Sequence, residues 1–480
     1  MAGTDLDPNR DPEDVEGETA IHPDDVDATI PDTDPHLSKE FTARVIDAIR
    51  DEDQDRARSL VSELHAADLA DLLEGLSSAN RISLVQLLGE ELDPEVLYEV
   101  DASVKADIVE HIPNEQIAEA LTELDTDDAV YVLEELDDED REEVLQALDA
   151  DDRVAIEESL SYPAESAGRL MQRDLVALPE FWTVGQTIDY LRSETTEIPE
   201  DFYDIFVVDP SHHPVGTVPL SRVMRTHRPV TLGEMMDKDP YVIDAEADQE
   251  EVAYQFTKYH LISAAVVDKN RRLVGVVTVD DIVEVIEEEA EEDIMALAGV
   301  ADASLNESIL TITRQRFVWL LINMITAVAS AYVISAFGAT IQQMVALAAL
   351  MPIVASIGGN AGNQTMTIAV RALATKELST LNVWRVMSRE LTTASMNGAG
   401  LALVAGVVVW LVFQNPLLGG VMAAALLINT IVAGLSGLLV PMGLSRAGID
   451  PAVASTVLVT TITDVVGFLA FLGLAALVLL

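Results

Sequence analysis

Cysteine is absent from the 480 residues, which excludes disulfides, thiolate metal sites and cysteine nucleophiles. Bases are scarce: 28 lysines and arginines stand against 83 aspartates and glutamates, the net charge is −55, and only six bases are lysine. Such a chain offers nucleic acid no electrostatic partner. A surface this acidic repels itself in dilute buffer and tolerates strong salt screening, as expected for the salt-rich cytoplasm of a halophile. Acid content alone therefore does not make a carboxylate a metal ligand. Residues 1–36 lack an apolar core, so they read as a disordered acidic tail and not as a signal peptide.

The charge is unevenly placed. From Phe317 to Leu480 there are four acids (Glu377, Glu390, Asp450, Asp464) and five bases, leaving 79 acids and 23 bases in residues 1–316. An acidic aqueous half is joined to a hydrophobic half, which indicates a multidomain membrane protein.

Over 37–160 the pattern is helical, with short apolar stripes such as Leu69, Leu72, Leu73 and Leu76. Helix-start signals recur every 12 residues, at Asp101, Pro113, Asp125, Asp137 and Asp149; aspartate and proline suit the first positions of a helix. Helices this short do not stand alone, so the spacing predicts a stacked helical repeat domain, a scaffold with no catalytic pattern.

From Tyr162 strands alternate with helices and a tandem repeat begins. Ile205–Asp209 followed by Val215–Val218 recurs 59 residues later as Ala264–Asp268 followed by Val274–Val277, and the opening Leu170–Asp174 recurs as Met235–Asp239. These α/β units resemble a pair of cystathionine-β-synthase (CBS) modules, at 161–228 and 229–281. The resemblance implies a regulatory pair that binds ATP or another adenine nucleotide. The aspartate that meets the ribose in many such modules is matched by Asp281 in the second copy, whereas the first has Arg222.

Asp280 to about Ala298 is amphipathic, with Ile282, Val285, Ile286, Ile294 and Leu297 on one face and the eight acids from Asp281 to Asp293 crowding the others. Like charges at i, i+4 destabilise a helix, and hard divalent cations with oxygen-ligand chemistry relieve them. A halophilic surface explains the same residues. The segment 282–313 is expected to be a long connecting helix leading into the membrane.

Five apolar segments of about 20 residues or more follow within 314–480, namely 317–337, 344–368, 391–413, 420–444 and 453–480, long enough for a five-span all-α domain. Bases gather near Arg314 and Arg316, from Arg371 to Arg389 and at Arg446, and the links 338–343 and 415–418 have none. The soluble half is therefore expected in the cytoplasm and Leu480 outside the cell membrane. The second segment contains Pro352 and the run Gly358-Gly359-Asn360-Ala361-Gly362-Asn363-Gln364. Such loosened backbone is tolerated in a membrane only inside protein or beside a watery cavity, so Pro352, Gly358, Gly359, Asn360 and Asn363 are candidate lining residues. Close small-residue packing explains the glycines equally well but the amides poorly. In the last segment Asp464 is the only ionisable residue. A charge there costs at least about 2.5 kcal/mol, and hydroxyls at Thr460, Thr461 and Thr463 flank it. Asp464 and Thr460 are the candidate ion ligands of a pathway.

The order of these parts resembles the MgtE family of magnesium channels. The closest motifs are Pro352 through Asn360–Gln364 to Arg371–Ala374, then Asp450-Pro451-Ala452, then Thr463–Gly467. The resemblance implies a homodimeric Mg²⁺ pore in membrane lipid, with Mg²⁺ as both substrate and regulator and no enzymatic role. It assigns Asp464 to the pore. It assigns Asp281, Glu284, Glu289, Glu292 and Asp293 to the connecting helix and its surroundings, Asp450 to the cytoplasmic mouth and Asp127 to the helical domain. Tyr131 departs from the pattern, standing where a second acid of the Asp127 helix is expected. Other divalent cations (Co²⁺, Mn²⁺) and a membrane-anchored nucleotide sensor are the alternatives. An intramembrane aspartyl protease needs two facing acids, and Asp450 lies 14 residues, about 21 Å of helix, from Asp464.

Overall fold

The computed structural model describes residues 38–479 apart from 63, 135, 137, 194–197, 200–201, 301–308 and 379–381; the acidic tail 1–36 and Leu480 lie outside them. The described residues divide into two compact units, one up to Leu124 with those between 135 and 147, the other holding Asp125–Glu134 and Leu148 onward.

Among the described residues ten short α-helices come first: α1 Lys39–Arg50, α2 Gln54–Val61, α3 Ala66–Gly75, α4 Ser78–Leu88, α5 Glu95–Glu99, α6 Ala102–Val109, α7 Asn114–Leu121, α8 Thr126–Glu134, α9 Asp138–Ala147 and α10 Ala150–Leu160. From α6 onward each begins one residue after a predicted start signal. Asp149 caps α10 by accepting from the N–H groups of Asp151 and Asp152. In the first unit α2 packs on α4, α4 on α6, α3 on α5 and α7 on α9; in the second, α8 packs on α10. Skipping one neighbour lets helices of two or three turns bury a stripe on both sides. Arg81, 6% exposed, donates to the Leu73 and Leu76 carbonyls and pairs with Asp107 at 2.8 Å, which satisfies acceptors left over at the end of α3.

The tandem repeat folds as two small sheets. The first contains β1 Ala177–Pro179, β2 Asp204–Val208, β3 Pro214–Pro219 and β4 Asp237–Lys238; the second contains β5 Val242–Asp244, β6 Ser263–Val267 and β7 Leu273–Thr278. Ile205 pairs with Val218 and Ala264 with Val277, so the antiparallel registers repeat at the same spacing of 59, and each sheet has an irregularity at the equivalent place. The openings are exchanged. Met171, from the first opening, packs in the second core, and Met236, from the second, packs in the first. Gly216 and Gly275 leave room for these methionines: a Cβ would fall 2.5 Å from the Met236 sulfur or 2.7 Å from that of Met171. The helices of this region are α11 Val184–Leu191, α12 Leu220–Arg225, α13 Leu232–Met235 and α14 Gln249–Tyr259.

The amphipathic stretch forms α15, Val279–Ala298, and is followed by α16 Ile309–Ala336, α17 Gly338–Gln343, α18 Ala346–Ala374, α19 Val383–Phe413, α20 Pro416–Arg446 and α21 Pro451–Val478. The connecting helix expected over 282–313 ends early. Gly299, at φ +70°, caps α15 in the left-handed conformation, and 301–308 lie outside the described residues. Among the described residues α16, α19, α20 and α21 are long and apolar enough to cross a membrane. Although α18 is 29 residues long, Pro352 and the polar run dilute its apolar half. It nevertheless packs on both α20 and α21.

Candidate functional site

Asp464 lies midway along α21 and is half-buried. Among the described residues it has no hydrogen bond and no ion pair. Around it the hydroxyls bond back to their own helix: Thr460 Oγ1 to the Thr456 carbonyl at 2.8 Å, Thr461 to Val457 at 2.6 Å and Thr463 to Thr460 at 2.9 Å. A threonine that donates backward in this way presents oxygen lone pairs outward. Thr460 is half-buried beside Asp464, whereas Thr463 is fully buried, within 3.5 Å of where a Cβ on Gly362 would be. Carboxylate plus hydroxyl oxygen is a hard-cation donor set.

The predicted lining residues of α18 separate. Gly358 and Gly362 are buried, and the side chains against them are Asn429 of α20 and Val459 of α21, so these glycines serve close packing. Pro352 is exposed, Gly359 faces open space, and Asn363 is half-buried with a buried Oδ1 that has no hydrogen-bond partner among the described residues. Asn360 opens instead onto a cavity of about 570 Å³ among α18, α19 and α20, shared with Gln364, Glu390, Asn397 and Thr430. Glu390 was placed outside the third predicted span. Because α19 starts at Val383, it sits two turns inside the helix and is 9% exposed. Asn429 is the sole amide of α20. Its signal in the sequence is of the kind that marks Asp464, a strongly polar side chain in an apolar run.

Outside the membrane segments the acids gather along α15. Asp281 closes a capping box, accepting from Thr278 Oγ1 at 2.6 Å and from the Thr278 N–H at 3.4 Å. Burial, with smaller contributions from Asp280 and Glu284, pushes its carboxyl up to about 7. Asp127, in the first turn of α8 and 8% exposed, is pushed well above the carboxylate range by burial and then by the charges of Asp281, Asp128 and Asp125. Farther along, Glu289 accepts from Gln249 at 2.9 Å. Burial first, then Asp248, Glu165 and Asp293, hold it high. Asp293 is raised by burial and then by Asp450, and Asp450 caps α21 by accepting from the Ala452 N–H at 2.8 Å. Glu284 and Glu292 are exposed. Thr456 of α21 donates to the Leu297 carbonyl at 3.0 Å, and Ala296 and Leu297 pack against Met366, Val370, Ala452 and Val459. The acidic helix therefore docks on the helix that carries Asp464. Among the described residues no three His, Asp or Glu side chains are close enough to hold a metal directly.

In the first CBS-like module Arg222 is already engaged. It pairs with Asp237 at 2.8 Å and donates to the Met235 carbonyl at 2.9 Å.

Comparison with known proteins gives three family matches: the MgtE divalent cation transporter over 351–474, the MgtE intracellular N domain over 64–165 and the CBS domain over 232–288. The Bacillus subtilis magnesium transporter MgtE is 34% identical over 324 residues, covering 66% of this chain and 70% of that protein. The Thermus thermophilus magnesium transporter MgtE is 35% identical over 324 residues, covering 66% and 71%. The chain belongs to the MgtE family. Its α18–α21 bundle lies almost wholly within the transporter match, so Asp464, Asn360 and Glu390 all fall in the part that defines the family. Among solved structures, the cytosolic domain of the Mg²⁺ channel MgtE in complex with ATP aligns at 29% identity with a TM-score of 0.48, covering 51% of this chain and 99% of that one. By its family matches and its fold, this MgtE-family chain is a multidomain membrane transporter protein with a helical N domain and a CBS pair.

Proposed function

We propose that the chain conducts Mg²⁺ down the membrane potential, through a pore formed by two copies, and that cytoplasmic Mg²⁺ closes that pore. The observation that carries this reading is Asp464, a half-buried carboxylate in an apolar helix with no hydrogen bond or ion pair among the described residues. Mg²⁺ gives up water reluctantly. A pore that stripped it would need many rigid oxygens, and this half has few charges. Two Asp464 carboxylates across a two-fold axis, with Thr460 hydroxyls beside them, hold a hydrated ion through its waters. The sequence shows no dedicated proton relay beside them, which supports passive flow. The five helices α16 and α18–α21 span the cell membrane, α16 faces lipid, the acidic half is cytoplasmic and the C-terminus is outside.

Closure uses the crowded acids. Asp127 with Asp281, Glu289 with Asp293, and Asp293 with Asp450 repel at low internal Mg²⁺. A cation that bridges them through its waters stabilises the docked position of α15 on α21, and with it the closed state. Glu284 and Glu292 extend the same field. An adenine nucleotide is a second ligand class for the CBS pair, through Asp281; Arg222 is held elsewhere in the first copy.

The deciding measurement is flux through reconstituted protein with Mg²⁺, Co²⁺ and Mn²⁺ in turn. Mg²⁺ is expected to pass fastest and Asp464→Ala to abolish flux while the protein stays folded. Normal flux in that variant refutes the pore reading, and faster Co²⁺ or Mn²⁺ flux reassigns the ion.

A further inference from the structure

Asn429 is fully buried, and its setting has more detail than packing requires. Its Nδ2 donates to the Val354 carbonyl of α18 at 2.9 Å. Its Oδ1 is buried and accepts no hydrogen bond among the described residues. Glycines from two other helices lie against the amide. A Cβ on Gly358 of α18 would overlap Nδ2, and one on Gly467 of α21 would fall 2.6 Å from it; both positions are 3.2 Å from Oδ1. The amide is thus enclosed between two bare backbones and faces the Cα–H groups of both, a weakly favourable contact for its oxygen.

A leucine or methionine would fill this space without burying an acceptor, and an unsatisfied buried acceptor is destabilising. Retaining one in a native core calls for an explanation. Position supplies it. Gly358 is one turn beyond Val354, so the hydrogen bond and the glycine contact pin α18 at one place. Gly467 is one turn beyond Asp464, so the same amide bears on the turn that carries the pore carboxylate. Apolar packing between helices in lipid is weakly directional, whereas an interhelical hydrogen bond fixes rotation and register.

We infer that Asn429 is a positioning residue: it keys α20 between the two glycine faces and thereby sets the rotation at which α21 presents Asp464. This rests on the pore reading of Asp464 and adds a residue that acts through it.

The test uses full-length protein in liposomes, comparing saturating Mg²⁺ flux, KM and the Mg²⁺ to Ca²⁺ flux ratio. Asn429→Leu is expected to lower saturating flux about tenfold with KM changed less than twofold, and to shift the ion ratio at least threefold. Gly467→Ala forces a methyl into the amide and is expected to show the same pattern. In Gly467→Ala/Asn429→Ala the methyl occupies vacated space, so the melting temperature recovers, but the amide is gone and flux and ion ratio stay at the level of Asn429→Leu. Gly420→Ala, which faces open space in α20, should behave as wild type. The inference is overturned if Asn429→Leu and Gly467→Ala only melt earlier with flux and ion ratio unchanged. It is equally overturned if the double variant recovers wild-type flux and ion ratio without the amide, which also decides the matter should Asn429→Leu fail to fold. Asp464→Ala run in parallel separates the two readings. Normal flux there removes the pore assignment, whereas lost flux there with wild-type behaviour in Asn429→Leu removes only the positioning role.

Discussion

Asp464 and the acids of α15 are the same chemical group in opposite company. The former is the one acid of an apolar helix, without a hydrogen bond among the described residues, beside hydroxyls that present oxygen lone pairs. The latter stand among many, so that burial and mutual repulsion push Asp127, Asp281, Glu289 and Asp293 upward together. An isolated group cannot be replaced by a neighbour, and removing it removes the site. In a crowd each member shares the work of a field, so single losses are small and combined losses large. A conducting site and a sensing site need these opposite properties, since a sensor must respond gradually to concentration.

The comparison breaks first at its strongest point. Asp464→Ala is expected to reduce Mg²⁺ flux by about a hundredfold or more, close to the loss of a transition-state charge partner, whereas Glu292→Gln changes flux less than about twofold because its field is shared. Flux assays in liposomes check both, and equal effects would erase the distinction. Next in size, the combined Asp281→Asn, Glu289→Gln and Asp293→Asn variant should raise the internal Mg²⁺ needed for half-block by about tenfold, a coupling of roughly 1.4 kcal/mol. Patch recording that finds unchanged block by internal Mg²⁺ would show that these acids are only surface.

How far the sequence reveals each region follows from the same contrast. The 12-residue helix starts and the repeat at 59 residues were legible because local caps and alternating strands determine them. Asp464 was legible because it is the sole charge in its segment. The extent of α19, and with it the burial of Glu390, was not, because hydropathy marks the apolar stretch and not the two helical turns before it. The division of the α18 run was also hidden. Gly358 packs while Asn360 opens to a cavity, and that depends on which neighbouring helix each face meets. Nor does acid density show which carboxylates are buried. Asp281 is held by a capping threonine while Glu284, one turn on, is exposed.

A pH series sharpens the crowded side. Asp281 titrates at about 7 in the fold against 3.8 ordinarily, and Asp127 moves the same way. A carboxyl raised on folding stabilises the fold while protonated. That contribution is fully present below about pH 4 and is lost as pH rises through about 7. In chelator, the melting temperature should fall by about 2–4 °C or more between pH 5.5 and 8. Mg²⁺ should restore it at pH 8 and do little at pH 5.5, where protons have already relieved the repulsion. Asp127→Asn should flatten the series. A flat series in the unaltered protein would mean that these carboxyls are not crowded.

A milder substitution probes the isolated side. Thr460→Val keeps the shape of the side chain and removes its oxygen. The Thr456 carbonyl it bonded keeps its helical partner, so the fold should hardly change. If Asp464 holds the ion through water, one hydroxyl contributes a single hydrogen bond to the hydration shell, about 1 kcal/mol or less, and flux should fall about two- to fivefold. If the ion is instead bound directly and stripped, Thr460 is a ligand and its loss should approach that of Asp464. The ratio of the two variants' fluxes therefore reports how much water the ion keeps as it passes the carboxylate.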